Sequence, residues 1–317
     1  MGFVPAHRPV MVEEVLRLLI TERRGRYADL TVGGGGHAEA ILEALDPAGT
    51  LIGLDRDPAA LAGAAARLAR FGGRVELVPG RASDLTSILA VRGIEQVDGV
   101  LLDLGLSSDQ LASGRGFSFE GDGPLDMRFN PAEGREPAHA LLARLSQAEL
   151  AEILQIYGEF SRGESRSLAR RLIAARARSP LMQVAAVRDA LLSIPARHRQ
   201  RTLARVFQAL RIQVNDELSE LDRGLVAAAR SLRTGAVLCA LSYHSLEDRK
   251  IKEFFRSPAP PRRDLPPPPG WAVGRFEVIT RRAIRPSPAE VEVNPRARSA
   301  RLRAGVRRRV KETHDSV

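Results

Sequence analysis

Cysteine is almost absent from this 317-residue chain. The one thiol, Cys239, sits in the apolar run Ala236-Val-Leu-Cys-Ala-Leu241. A single thiol closes no intramolecular disulfide, and this one has the setting of a small buried hydrophobe. Long hydrophobic runs are missing as well: no stretch of about 18 apolar residues occurs, so no membrane-spanning helix is expected. The start, Met1-Gly-Phe-Val-Pro-Ala-His-Arg-Pro9, lacks an apolar segment behind a basic one, which argues against a secretory signal. Ala6 stands where a myristoylation start needs Ser or Thr. A cytoplasmic protein without a membrane partner is expected. Also missing are H-E-x-x-H, any cysteine cluster and G-x-S-x-G, so neither a metal site nor serine-hydrolase chemistry is expected.

Lysine occurs only at 250, 252 and 311, yet the formal net charge is +10. A codon bias would exchange lysine for arginine without raising the total, so the excess of positive charge points to a polyanionic partner such as nucleic acid. The length allows one large domain or two smaller ones, with a full core.

The most informative segment is Ala28-Asp-Leu-Thr-Val-Gly-Gly-Gly-Gly-His37, followed by Leu51-Ile-Gly-Leu-Asp55. Consecutive glycines permit positive φ and let a ligand approach the main chain. The apolar residues before them predict a strand and Ala38–Leu45 the helix after it. The second strand ends on Asp55, whose two oxygens suit a pair of ribose hydroxyls. Gly33-x-Gly35-x-x-Ala38 also satisfies the dinucleotide fingerprint, with Asp55 about twenty residues further on. The pattern therefore fits an NAD-dependent dehydrogenase or a methyltransferase that binds S-adenosylmethionine.

Strand and helix signals alternate from 27 to 105: strands at 27–32, 50–54, 74–78 and 97–103, helices at 37–45 and 58–70. This alternation predicts a parallel, doubly wound α/β sheet. Ligands of such sheets lie outside the carboxyl ends of the strands, which puts Asp55 and Asp103 on one rim with the glycine turn. From about 110 to 205 the strand signals stop. A glycine-rich loop (114–127) is followed by helical patterns at 138–145, 147–156, 165–178 and 182–192, the second opened by a Ser146/Glu149 capping box. Residues 110–205 are therefore expected to form an inserted helical domain, with 1–109 and 206–317 as one discontinuous domain. A long helix is expected at 203–231, then a strand at 236–243, a helix at 245–255, a proline-rich linker at 257–270, and strands at 275–283 and 297–309 forming an edge hairpin.

After the strand at 236–243 comes Ser242-Tyr-His-Ser-Leu-Glu-Asp-Arg249. Ser245 is expected to cap the next helix, with Glu247 and Asp248 in its first turn, where the macrodipole favours negative charge. That leaves His244 without a capping task, facing the cleft beside Asp103. A dehydrogenase would need a proton donor from a catalytic domain, and the helical insert offers only His139 and His198, both in polar surroundings.

His7, Gly33–His37, Leu54-Asp-Arg-Asp57 and Leu101-Leu-Asp-Leu-Gly-Leu-Ser-Ser108 together resemble the bacterial ribosomal RNA small-subunit methyltransferase H family. The likeness continues through Gln110-Leu111, Arg115–Phe119, Gly123–Arg128, Tyr243–Arg249 and Asn294–Ser299, and covers about His7 to Arg308. The resemblance implies a class I methyltransferase fold, a mostly parallel, Rossmann-like sheet of seven strands with an all-helical substrate-recognition domain inserted. It implies transfer of a methyl group from S-adenosylmethionine to the exocyclic N4 of a cytidine in the decoding region of 16S ribosomal RNA, within the small subunit. Cofactor contacts carried over by motif are Gly35, Gly36, His37, Asp55, Asp103 and Gln110, with Ala82 where the family often has an aromatic. The Asn/Asp-Pro-Pro-aromatic signature of many amino-methyltransferases is absent, and Asp103–Ser108 takes its place. A non-catalytic RNA-binding assembly protein with an adenosine-cofactor site is the alternative from another class.

Cytosine N4 is a poor nucleophile until its amine pyramidalises, so an acceptor for one N–H would help, while alignment with the methyl can supply most of the effect. Asp103 and His244 are the candidate catalytic residues; the backbone of Ser107 and Ser108 competes for the N4 hydrogen. Arg296, Arg298, Arg301 and Arg303, continuing to Arg307, Arg308 and Arg309, are expected to bind RNA phosphates together with arginines of the insert.

Overall fold

The computed structural model describes residues 9–256 and 275–308. His7, the proline-rich segment at 257–270 and Arg309 lie outside them. The described chain falls into two compact units, one running to Gly105 and resuming at Ser219, the other Leu106–Leu218.

The first unit opens with α1 (Val12–Leu19), β1 (Arg26–Asp29), α2 (Gly36–Ala44), β2 (Thr50–Asp55), α3 (Pro58–Leu68), β3 (Val75–Pro79), α4 (Leu85–Val91) and β4 (Val97–Asp103). The second unit contains α5 (Ser108–Ala112), α6 (Ala138–Arg144), α7 (Gln147–Tyr157), α8 (Arg162–Arg176), α9 (Val184–Ala190) and α10 (Ala196–Asn215). The chain continues with α11 (Glu217–Ser231), β5 (Leu232–Ser242), α12 (Ser245–Arg256), β6 (Arg275–Val278), α13 (Pro288–Val293) and β7 (Arg301–Arg308).

The seven strands form one sheet in the order β3-β2-β1-β4-β5-β7-β6. β1 to β5 are parallel, and β7 enters antiparallel between β5 and β6. This is the class I methyltransferase sheet. The central strands β1, β2, β4 and β5 are largely buried on both faces, as parallel strands covered by helices must be, while the edge strand β3 is only partly covered. In β5, Val237, Cys239 and Leu241 face the core under α1 to α3, while Leu238 and Ala240 face the core under α4, α11 and α12. Burial pushes the Cys239 thiol far up, leaving it unreactive.

Four expected elements are corrected. The helical pattern at 203–231 is two helices, α10 and α11, broken at Asp216, which adopts the left-handed conformation (φ 53°). Asn and Asp tolerate that conformation better than other non-glycine residues, and the apolar period continues through the break. The strand expected at 275–283 ends at Val278. The other, expected from 297, begins only at Arg301, because Pro295–Ser299 coil into a 3₁₀ turn. β6 is nevertheless an edge strand paired with β7. In the second unit, α8 starts three residues before the expected 165, because Ser161 and Glu164 close a capping box of the same kind as Ser146 and Glu149.

Candidate active site

Three adjacent strands, β2, β1 and β4, end on carboxylates: Asp55, Asp29 and Asp103. Asp29 pairs in register with Gly53 and Leu101, so its two neighbours stand two residues further toward the rim.

The glycine turn joins β1 to α2. Val32 accepts from the Gly35 N–H at 2.8 Å, and Gly35, with φ 82°, precedes α2. A side chain on Gly35 would press on Ala64 of α3, its Cβ 3.3 Å from the Ala64 Cα, and one on Gly36 would meet Pro9 at 3.1 Å. These glycines therefore serve the local packing as well as any ligand. No side chain caps α2, so its first N–H groups are left as donors for an anion.

Asp55 holds the turn from the other side. Its Oδ2 accepts from the Gly33 N–H at 2.8 Å and its Oδ1 from the Asp57 N–H at 2.9 Å. Burial raises its pKa, against the pull of those N–H groups. The Arg56 N–H also pulls on this carboxylate; two carboxylate oxygens offer about four lone-pair sites, so acceptor capacity remains for a diol.

Asp103 is clamped. Its Oδ1 accepts from the Tyr243 hydroxyl at 2.8 Å, and its N–H donates to Thr31 Oγ1 at 2.6 Å. Its Oδ2 lies 3.4 Å from His37 Nε2, an ion-pair contact without hydrogen-bond alignment. The Asp103 side chain stays 22 % exposed, so a ligand can reach it. Gly105, at φ 105°, lets the chain turn against the Tyr243 ring, where a Cβ would come within 2.9 Å. Burial raises the Tyr243 pKa well above that of a free phenol, the Asp103 charge adds to this, and the hydroxyl stays a donor. Burial alone would strip the proton from His37; Asp103, Asp29 and Glu290 outweigh it, and the His37 pKa is raised. Asp29 is buried, with Oδ1 accepting from the Thr31 N–H and Oδ2 lacking a hydrogen-bond partner among the described residues. Burial pushes its pKa up to about 7, with His37 opposing.

His244 has a different task from the one expected. It precedes α12, and its Nδ1 accepts from the Glu247 N–H at 3.4 Å. Glu247 Oε2 reaches back to the N–H groups of Tyr243 (2.8 Å) and His244 (3.3 Å), and Glu247 Oε1 lies 3.1 Å from His244 Nε2. His244 is thus the N-cap of α12 in a histidine version of the capping box, which corrects the expectation that it has no capping role. The Ala82 side chain packs against Gly224 of α11, where a Cβ would be only 2.8 Å from its own; only the Ala82 backbone is left to face a ligand. Gln110, in the second unit, is buried and trades hydrogen bonds with Ser107, its N–H to Ser107 Oγ (3.1 Å) and its Oε1 from the Ser107 N–H (3.0 Å).

Arg301 and Arg303, expected as RNA contacts, are both engaged with Asp248. Arg303 is buried and donates to Asp248 Oδ1 from Nε (2.7 Å) and to Oδ2 from an Nη (3.2 Å). Arg301 shares Oδ2 at 2.9 Å. Burial pushes the Asp248 pKa up, but the two guanidiniums outweigh it and hold the carboxyl low. Arg303 is therefore a core ion pair, which corrects its expected role in binding RNA. Arg296 and Arg298 lie exposed on the 3₁₀ turn before β7.

Asp29, Thr31, Tyr243 and Glu247 were not among the expected site residues. The rule that picked Asp55 and Asp103, a carboxylate at the carboxyl end of a parallel strand, reaches Asp29 only because β1 ends there and not at the expected 32.

Residues 5–308 match the model of the MraW methylase family. The chain belongs to that family. Among its relatives, a protein of Thermomicrobium roseum is 45% identical over 95% of this chain and 93% of its own, and one of Syntrophotalea carbinolica is 47% identical over 94% and 96%. A third, from Geobacter sulfurreducens, is 45% identical over 94% and 98%. All three are named "Ribosomal RNA small subunit methyltransferase H". Membership of a methylase family sets aside the dehydrogenase that the glycine fingerprint also allowed.

Proposed function

We propose that this protein transfers a methyl group from S-adenosylmethionine to the exocyclic N4 of a cytidine in 16S ribosomal RNA. The single observation that carries the reading is the rim itself: three strand-end carboxylates around an uncapped helix N-terminus, in a chain of a methylase family. The donor set fits the cofactor. The remaining acceptor capacity of Asp55 suits the ribose hydroxyls, the α2 N–H groups suit the methionine carboxylate, and the unpartnered Asp29 Oδ2 suits its ammonium. The inserted unit is the substrate-recognition domain, and the small ribosomal subunit the partner.

S-adenosylmethionine supplies an electrophilic methyl on a sulfonium. The rest falls to the chain. Asp103 is the N4 acceptor: it stays partly exposed at the rim, and Tyr243, Thr31 and His37 fix its orientation. An N4 hydrogen held by Asp103 favours the pyramidal amine, and the proton leaves the cationic product without a strong base. His244 is held by Glu247 as a cap, which leaves Asp103 as the better acceptor.

The test is transfer of labelled methyl into small-subunit RNA, followed by digestion to nucleosides. N4-methylcytidine is the expected product. Label on carbon 5, on N3 or on another base would refute the N4 reading and leave the family standing.

A further inference from the structure

In the second unit the arginines divide sharply. Eleven are bound to the protein: Arg128, Arg144, Arg188 and Arg211 to carboxylates, and the others, such as Arg176 and Arg205, chiefly to carbonyls or side chains. Five make no hydrogen bond or ion pair among the described residues: Arg162, Arg166, Arg170, Arg178 and Arg201. The first three lie on α8, and Arg178 follows its end by two residues. Arg201 of α10 stands near the start of α8, where its charge reaches Glu164.

Arg162, Arg166 and Arg170 are all exposed and follow one another at i, i+4 and i+8. At 1.5 Å rise per residue they form a row about 12 Å long. The neighbouring side of the helix is anchored by Leu168, Ala169 and Leu172 in the core of the unit. Helix electrostatics disfavour this row: like charges at i,i+4 repel, and Arg162 at the first helical position meets the positive end of the macrodipole. Glu164, the one carboxylate of α8, is committed to Ser161.

We infer that the Arg162–Arg166–Arg170 row of α8 is a docking edge for the phosphodiester backbone of RNA. Guanidinium forks match phosphate oxygens, and a row of them on a rigid helix offers successive contacts without reading base sequence. The inference deepens the RNA-methylation reading and rests on it.

The test is a salt titration of binding to a protein-free 16S RNA transcript and, separately, to intact small subunits. Low salt makes the measurement possible even for non-specific binding. Three lost phosphate contacts should lower the log–log salt slope of the triple variant Arg162→Gln, Arg166→Gln, Arg170→Gln by about 2 to 3. The lysine triple variant should keep the slope, and S-adenosylhomocysteine affinity should be unchanged in both. A control, Arg17→Gln with Arg23→Gln and Arg24→Gln, removes the same charge from exposed positions of the first unit. An unaltered slope, or an equal drop in the control, would overturn the inference. So would a loss confined to intact subunits, which would assign the row to a ribosomal protein. The methylation reading is judged apart from this, by the nucleoside that the parent protein produces.

Discussion

Tyr243 and His37 converge on one carboxylate, and each leaves Asp103 less free to turn. The phenol donates a 2.8 Å hydrogen bond to Oδ1, and a hydrogen bond to a charged group is worth about 1.5–3 kcal/mol. Tyr243→Phe should therefore slow single-turnover methyl transfer about ten- to a hundredfold while S-adenosylhomocysteine affinity changes little. An equal loss of affinity would make Tyr243 a cofactor-site residue instead. Asp29 yields a prediction about pH. Its pKa, raised to about 7 by burial, means that the folded protein holds a proton the unfolded chain has already lost. Stability from this group is thus fully present below the ordinary carboxylate range and is lost as pH rises toward 7; the raised His37 pKa acts in the same direction. The amide of Asp29→Asn does not titrate, so its melting temperature relative to the parent should climb between pH 5 and pH 8. A constant difference across that range would show that Asp29 is already ionised at pH 5. Asp29 was missed because the apolar pattern carried the expected strand on to 32 and left it mid-strand, and Tyr243 was missed because nothing in the chain order brings it to a residue 140 positions away.

At the scale of elements, the four strands up to β4 and the helices α2 and α3 were legible from their periods and punctuation, whereas α1 and α4 were not expected and β1 ends three residues early, at Asp29. Pro58 opens α3, with Asp57 as its N-cap, and Ser146 and Ser161 open α7 and α8 with Glu three residues on. The break between α10 and α11 was not legible. The Asn215 side chain shows why: besides donating to the Arg211 carbonyl of its own helix (3.0 Å), it accepts from the Phe129 N–H (2.9 Å) and donates to the Met127 carbonyl (2.7 Å), contacts 86 and 88 residues distant. The α12 cap shows the same limit, since serine is the commoner capping residue and His244 takes the place. Loss of that cap in His244→Ala should cost about 0.5–2 kcal/mol, read as a lower melting temperature, and His244→Asn, a strong N-cap, should restore it. A His244→Asn protein that is as stable as the parent yet slow in methyl transfer would return the histidine to the chemistry.

For the whole molecule, the net charge of +10 says that a polyanion is favoured but not where it lies. Arg303 makes the distinction measurable. Breaking a buried ion pair costs about 3–5 kcal/mol, so Arg303→Gln should destabilise the protein strongly, toward the low end because Arg301 still serves Asp248. The salt slope of RNA binding should stay as in the parent, and a reduced slope in the folded variant would make Arg303 an RNA contact after all. By itself the sequence determined the α/β sheet, the glycine turn, the strand-end acids and the family. These are encoded locally, by periodicity, by glycine and by which residue stands at the end of a strand. Only the tertiary structure decided which charges are spent inside the protein and which remain for a partner. Whether an arginine meets a carboxylate depends on chain segments far apart in sequence: Arg303 meets Asp248 across 55 residues, whereas Arg162, Arg166 and Arg170 meet none among the described residues.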